Sequence, residues 1–175
     1  KYNNSNNVIG KTEIDNNGNF ELPIEAGIEN GVYRIRIGVK KAFFVFDGSE
    51  KVVTINGDLA KFNTYDFELD GSTTGKEFCN LMKKHGAGEM NNQAVADYVR
   101  SSPNNLLASF IAIKVFANSA DHLPLSKEIS TKFIAAEPDS EYAKDYKSIV
   151  ATQEASIAAA MANQKVQIGL PAPEI

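Results

Sequence analysis

One cysteine, two histidines and no tryptophan occur among 175 residues, and each scarcity excludes something. A single thiol, Cys79, cannot close an internal disulfide and cannot build a multi-thiolate metal site. No apolar run approaches the roughly 20 residues that a membrane-spanning helix needs. Lysine and arginine are scattered, and the formal net charge is -4, so the chain offers no basic stripe for nucleic acid. Low cysteine fits a reducing cytosol and equally many bacterial envelope proteins, so this count leaves the compartment open. The first residue is Lys1 rather than Met, from which we expect a trimmed N-terminus, and this leaves a missing export signal or anchor open.

Hydrophobic residues make up 43% and charged residues 23% of the chain, which is enough to bury a core as one domain or two small ones. The Asn-rich start, residues 1–7, carries no periodic pattern and is expected to be a disordered tail. Residues 8–71 are punctuated by Asn17-Gly18, Asn30-Gly31, Asp47-Gly48, Asn56-Gly57 and Asp70-Gly71, dipeptides that supply the positive φ of tight hairpins. Between them the period is two. Phe20, Leu22 and Ile24 alternate with polar residues, as do Tyr33, Ile35 and Ile37, and again Tyr65, Phe67 and Leu69. The runs "AFFVF" (42–46) and "VVTI" (52–55) do not alternate and read as strands covered on both faces. These patterns predict six short antiparallel strands in a β-sandwich or partial barrel.

After Gly71 the period changes to that of a helix. Thr74 and Glu77 have the spacing of a capping box ahead of a helix over 75–85. A second helix is predicted over 91–100, and a third begins with Ser102 as cap and Pro103 at its first position. That third helix contains "LLASFIAIKVF", apolar nearly all round, and is expected to be central and buried. Pro124 opens a fourth, ending near Glu137-Pro138, and Asp139 or Ser140 caps a long fifth whose alanine-rich far end is expected to project. Strands first and helices after them define an α+β class: a β domain over 8–71, then four to five helices over 72–165 packed on it.

The chemical motifs are weak. "DGSTTGKE" (70–77) encloses three residues between its glycines and places Glu77 after Lys76, so it fails the phosphate-loop pattern and reads as a strand-to-helix turn. In "DNNGN" (15–19) Gly18 stands fourth and Ala26 twelfth, where a calcium loop needs glycine sixth and a carboxylate twelfth; a hairpin turn explains it better. Cys79 and His85 could form a nucleophile and base, but six residues apart on one helix they point in different directions. Cys79 between Phe78 and Leu81 reads as a packed small side chain, with a reactive thiol as the alternative. His85 and His122 lie near predicted helix ends beside Gly86 and Asp121, which suits surface or capping roles ahead of metal binding or pH sensing. The carboxylates are plentiful, and no pair is marked out for hydrolysis.

The last residues, "VQIGLPAPEI" (166–175), resemble the entry into the thioredoxin-like domain of bacterial envelope thiol-disulfide oxidoreductases and their peroxiredoxin-like relatives. Gly169, Pro171, Ala172, Pro173, Glu174 and Ile175 match that family's Gly-x-x-Ala-Pro-acidic-apolar segment. The preceding chain is similar to the β-rich domain of unknown function that stands before the redox domain, with Gly18, Phe20, Gly31, Tyr33, Glu50, Ile55, Gly57 and Asp58 as the matching positions. "FIAAEPDSEYA" (133–143) resembles the helical bridge between the two.

The resemblance implies that residues 166–175 start a truncated thioredoxin-like domain whose Cys-x-x-Cys would lie beyond Ile175. Cys79 does not correspond to that motif, so no catalytic, cofactor-binding or metal-binding residue carries over, and the chain itself is not expected to be an enzyme. The implied partners are its own C-terminal thioredoxin-like domain, a second copy in a homodimer, and the parent's protein thiol or disulfide substrates. The implied location is the periplasm or the membrane-anchored envelope, with membrane contact only through a missing N-terminal anchor. The alternative reading is a glycan- or peptide-binding β-sandwich module of the envelope, with Tyr33, Phe44 and Tyr65 as ligand-facing aromatics.

Overall fold

The structure is a computed structural model that describes residues 7–167. It is α+β, with two small antiparallel sheets followed by helices. Of the expected start of a thioredoxin-like domain at 166–175, only 166 and 167, the last residues of a helix, are described; 168–175 lie outside the described residues.

Two hairpin-like pairs carry the β structure. Strands β1 (Asn30–Ile37) and β2 (Lys40–Asp47) form one ladder, with Tyr33 opposite Phe44 and Arg36 opposite Lys41. Strands β3 (Thr54–Gly57) and β4 (Phe67–Asp70) form the other, joined through a 3-10 helix over Leu59–Thr64. Among the described residues the strands make two separate two-stranded sheets.

Several sequence expectations change here. Among the described residues four strands form where six are predicted. Phe20, Leu22 and Ile24 are half-buried while Asn19, Glu21 and Pro23 are exposed, so the alternation is real. The segment joins no ladder, and Pro23 lacks the N–H that a ladder would use. "VVTI" is not covered on both faces, since Val52 is 72% exposed. Tyr65 leaves the predicted strand to become the left-handed C-cap of the 3-10 helix at φ 60°.

Helix α1 (Thr73–Gly86) starts two residues earlier than the capping box requires. Its N-cap is Ser72, whose Oγ accepts from the Gly75 amide, while Thr74 Oγ1 donates to Asp47 Oδ2 and Glu77 is exposed. The hydroxyl two residues upstream wins because the chain is still extended there, the conformation an N-cap needs.

The described chain divides into two compact units, with the boundary between Val95 and Ala96 inside α2 (Asn92–Ser101). In the first unit α1 packs on β2 and β4, and the 3-10 helix packs on β2. Gly75 is required at that contact, because an added Cβ would stand 2.9 Å from the Phe46 ring.

The second unit is helical. α3 (Asn105–Phe116) is capped by Asn104, whose Oδ1 accepts from the Leu107 amide, not by Ser102 as the sequence suggests. Ser102 instead exchanges hydrogen bonds with Asn104. Its neighbour Pro103 thus stands outside the helix. α3 packs against α4 (Leu123–Ala136) and α5 (Glu141–Gln167), and eight of its residues are buried. The near half of α5 buries Ala143, Tyr146 and Val150; from Ala151 to Ala162 only Gln153 and Ile157 are even half-buried.

Candidate functional site

The sequence-nominated aromatics lie within one ring cluster of the first unit. Phe44 is fully buried. Its ring lies 5.9 Å from both Phe46 and Phe67 and 6.4 Å from Phe62. Tyr33 meets Phe46 at 5.2 Å, and Tyr65 meets Phe67 at 6.1 Å and the Phe78 ring edge-on at 5.7 Å. Offset and tilted geometries at these separations are the favourable ones for aromatic pairs.

The two phenols are half-buried, with their polar ends turned to the chain's own backbone. Tyr33 Oη accepts from the Glu29 amide at 2.9 Å and donates to the Glu29 carbonyl at 2.8 Å, which clasps the approach into β1. Tyr65 Oη accepts from the Phe43 amide at 3.3 Å, and burial pushes its phenol up to about 12. Phe44 is thus part of the buried core, while Tyr33 and Tyr65 are half-buried within the same ring cluster.

Beside this cluster lies a buried polar group that residue patterns alone did not single out. Glu50 is 7% exposed. Its Oε1 accepts from Ser72 Oγ at 2.5 Å and from the Asp47 amide at 3.2 Å, and its Oε2 accepts from the Gly48 amide at 2.9 Å. Ser72 in turn accepts from Gly75 N at 2.9 Å. A carboxylate beside a serine invites a nucleophilic reading, yet the hydroxyl proton and a lone pair are both engaged in holding the α1 N-terminus. The family resemblance flags Glu50; no local period could have paired it with Ser72.

Two other residues that carry the resemblance have structural work nearby. Asp58 Oδ1 accepts from the Ala60 amide at 2.8 Å, capping the 3-10 helix. Gly57 has Phe67 Cβ only 2.6 Å from where its own Cβ would stand, so the β3–β4 pair needs a glycine there.

Cys79 is buried at 4% exposure and free, and burial pushes its thiol up to about 12. His85 Nε2 pairs with Asn92 Oδ1 at 3.0 Å at the end of α1. His122 takes the N-cap position of α4 without a side-chain capping bond; its ring stacks on Phe116 at 4.2 Å and its Nδ1 pairs with Ser119 Oγ at 2.7 Å. Among the described residues no group of three or more His, Cys, Asp or Glu side chains could hold a metal ion, and no helix is long and apolar enough to cross a membrane.

No family model matches the chain, no curated protein matches it, and no solved structure matches it.

Proposed function

We propose that this chain is a non-catalytic N-terminal module of an envelope thiol-disulfide oxidoreductase, whose work is to position or dimerise a thioredoxin-like domain following residue 175. The observation that carries the reading is α5. This helix has 27 residues, about 40 Å at 1.5 Å per residue. Its near half is built into the helical core through Ala143, Tyr146 and Val150, while residues 158–162 are exposed, and in sequence the helix leads to the Gly-x-x-Ala-Pro-like segment. A rod fixed at one end restricts where the next domain can go, which raises the effective concentration of that domain near a partner.

Chemistry is assigned elsewhere because thiol-disulfide exchange needs an accessible thiolate of depressed pKa. Cys79 has the opposite environment. In the same reading the two hairpins belong to a β-sandwich or partial-barrel arrangement, supported by the Phe44–Phe67 contact between them. The parent would sit in the periplasm or be anchored in the envelope, with protein thiols or disulfides as substrates.

Two measurements test this. Insulin reduction by the purified chain is expected to equal the buffer control; turnover that disappears in Cys79→Ser would overturn the reading. The coding sequence is expected to continue past Ile175 into a domain with a Cys-x-x-Cys near its start, and a stop codon directly after Ile175 would be equally fatal.

A further inference from the structure

The register of β1 and β2 sets like charges against each other. Arg36 stands directly opposite Lys41, Arg34 lies on the same face two residues along β1, and Lys40 opens β2 at the turn. Like charges directly opposite on an antiparallel pair are destabilising. Among the described residues none of these four cations meets a carboxylate: Arg36 Nε donates to the Gly38 carbonyl at 2.8 Å, and Lys40 Nζ donates to the Ala60 carbonyl and Asn63 Oδ1. The chain has 22 acidic residues against 18 basic ones, so a carboxylate-free basic tip is not what composition alone would produce.

The turn itself supplies the second feature. Val39 is 91% exposed, and together with Arg34, Arg36 and Lys41 it lines a shallow open concavity. Gly38, at φ +58°, makes the turn that holds Val39 out. A soluble phosphate would use the cations and leave Val39 in water. A leaflet with acidic headgroups uses both, since cations sit at the phosphate level while an apolar tip enters the acyl boundary.

We propose that the β1–β2 hairpin tip docks on an anionic phospholipid surface, with Arg34, Arg36 and Lys41 against the headgroup phosphates and Val39 directed inward. The proposal rests on the hairpin alone and is independent of the redox reading above.

The test is co-sedimentation of the whole chain with vesicles containing phosphatidylglycerol, compared with pure phosphatidylcholine vesicles. Binding is expected only to the acidic vesicles and is lost at high salt. Each cation near an acidic leaflet is worth about a factor of five, so Arg36→Gln with Lys41→Gln weakens binding roughly 25-fold. Val39→Asp weakens it further and Val39→Trp strengthens it. The charge-matched control Lys144→Gln with Lys147→Gln on α5 is expected to lose less. All these side chains are exposed, and circular dichroism of each variant confirms that it is folded. Equal binding to neutral vesicles, no binding at all, equal loss in the control pair, or capture of inorganic phosphate or duplex DNA in place of vesicles would each overturn the proposal.

Discussion

Ser72 Oγ donates to Glu50 Oε1 at 2.5 Å, across 22 positions of sequence. That bond ties the turn after β2 to the cap of α1, because the same Ser72 oxygen receives the Gly75 amide and the same Glu50 carboxylate receives those of Asp47 and Gly48. Thr74 Oγ1 on Asp47 Oδ2 at 2.8 Å repeats the link from the next turn of backbone. The strand-to-helix junction of the first unit is therefore held by a satisfied polar network next to the aromatic core.

Removing one member strands the others. Glu50→Ala leaves two amides and a hydroxyl without their acceptor and is expected to cost about 3 kcal/mol, since bonds to a charged group are worth about 1.5–3 kcal/mol each before relaxation. Ser72→Ala loses the cap as well as the Glu50 bond and is expected to cost about 2 kcal/mol. In urea unfolding the double variant is expected to fall short of the sum by about 1 kcal/mol, because both changes break the same bond. Strict additivity would show that the two residues act separately.

Two glycines are expected to respond with opposite signs. Gly57→Ala drives a Cβ to within 2.6 Å of Phe67 Cβ, inside the β3–β4 register, and is expected to destabilise by about 2 kcal/mol or more. Gly86→Ala, at the end of α1 with nothing within 4 Å, is expected to stabilise by up to about 1 kcal/mol. Thermal unfolding midpoints read both.

Asp66 gives a pH signature. Lys83 at 2.6 Å and Lys61 at 2.9 Å hold its carboxyl down from 3.8 to about 2. Because the folded value is the depressed one, the contribution is present above the unfolded value and is lost as pH falls through about 2. Asp66→Asn is expected to flatten the fall in stability between about pH 4 and pH 2. The flattening is partial, since Asp15, lowered chiefly by the Asn19 amide, and Asp47, lowered chiefly by Ser49, titrate in the same direction. An unchanged acid limb would show that the two lysines do not hold Asp66 in solution.

Cys79 is expected to be nearly silent toward thiol reagents in the folded state. At pH 8 a thiol with a pKa of about 12 is ionised roughly a thousandfold less than an ordinary one, before burial limits access. Modification is therefore expected to follow global unfolding and to accelerate at the urea midpoint. Fast labelling under native conditions would contradict the packing of Cys79 against its neighbours.

The two halves of α5 are expected to behave differently. Tyr146→Ala empties a 1%-exposed site and is expected to cost about 3–5 kcal/mol. Met161→Gln, at a 53%-exposed position, is expected to stay within about 0.5 kcal/mol of the parent chain. Chemical unfolding of both variants checks this contrast, and a large loss at Met161 would mean that the far half is covered in solution.

The α+β order and most helix limits were legible in the sequence because they depend on near neighbours. A run of apolar residues at helical spacing, a proline at the start of α4 and the Ser140 oxygen beside the Ala143 amide act within one or two turns of backbone. Turns such as the one over 15–19, where Asp15 Oδ1 accepts from the Asn17 and Asn19 amides, are equally local. What tertiary structure alone decided was partnership. Phe20, Leu22 and Ile24 show the right alternation yet gain no ladder; Ser72 displaces Thr74 as the cap; Glu50 meets Ser72; and Arg36 is set opposite Lys41. Each of these depends on which distant segment arrives alongside, and the free energy of that arrival is a sum over the whole packed unit that no window of neighbouring residues contains.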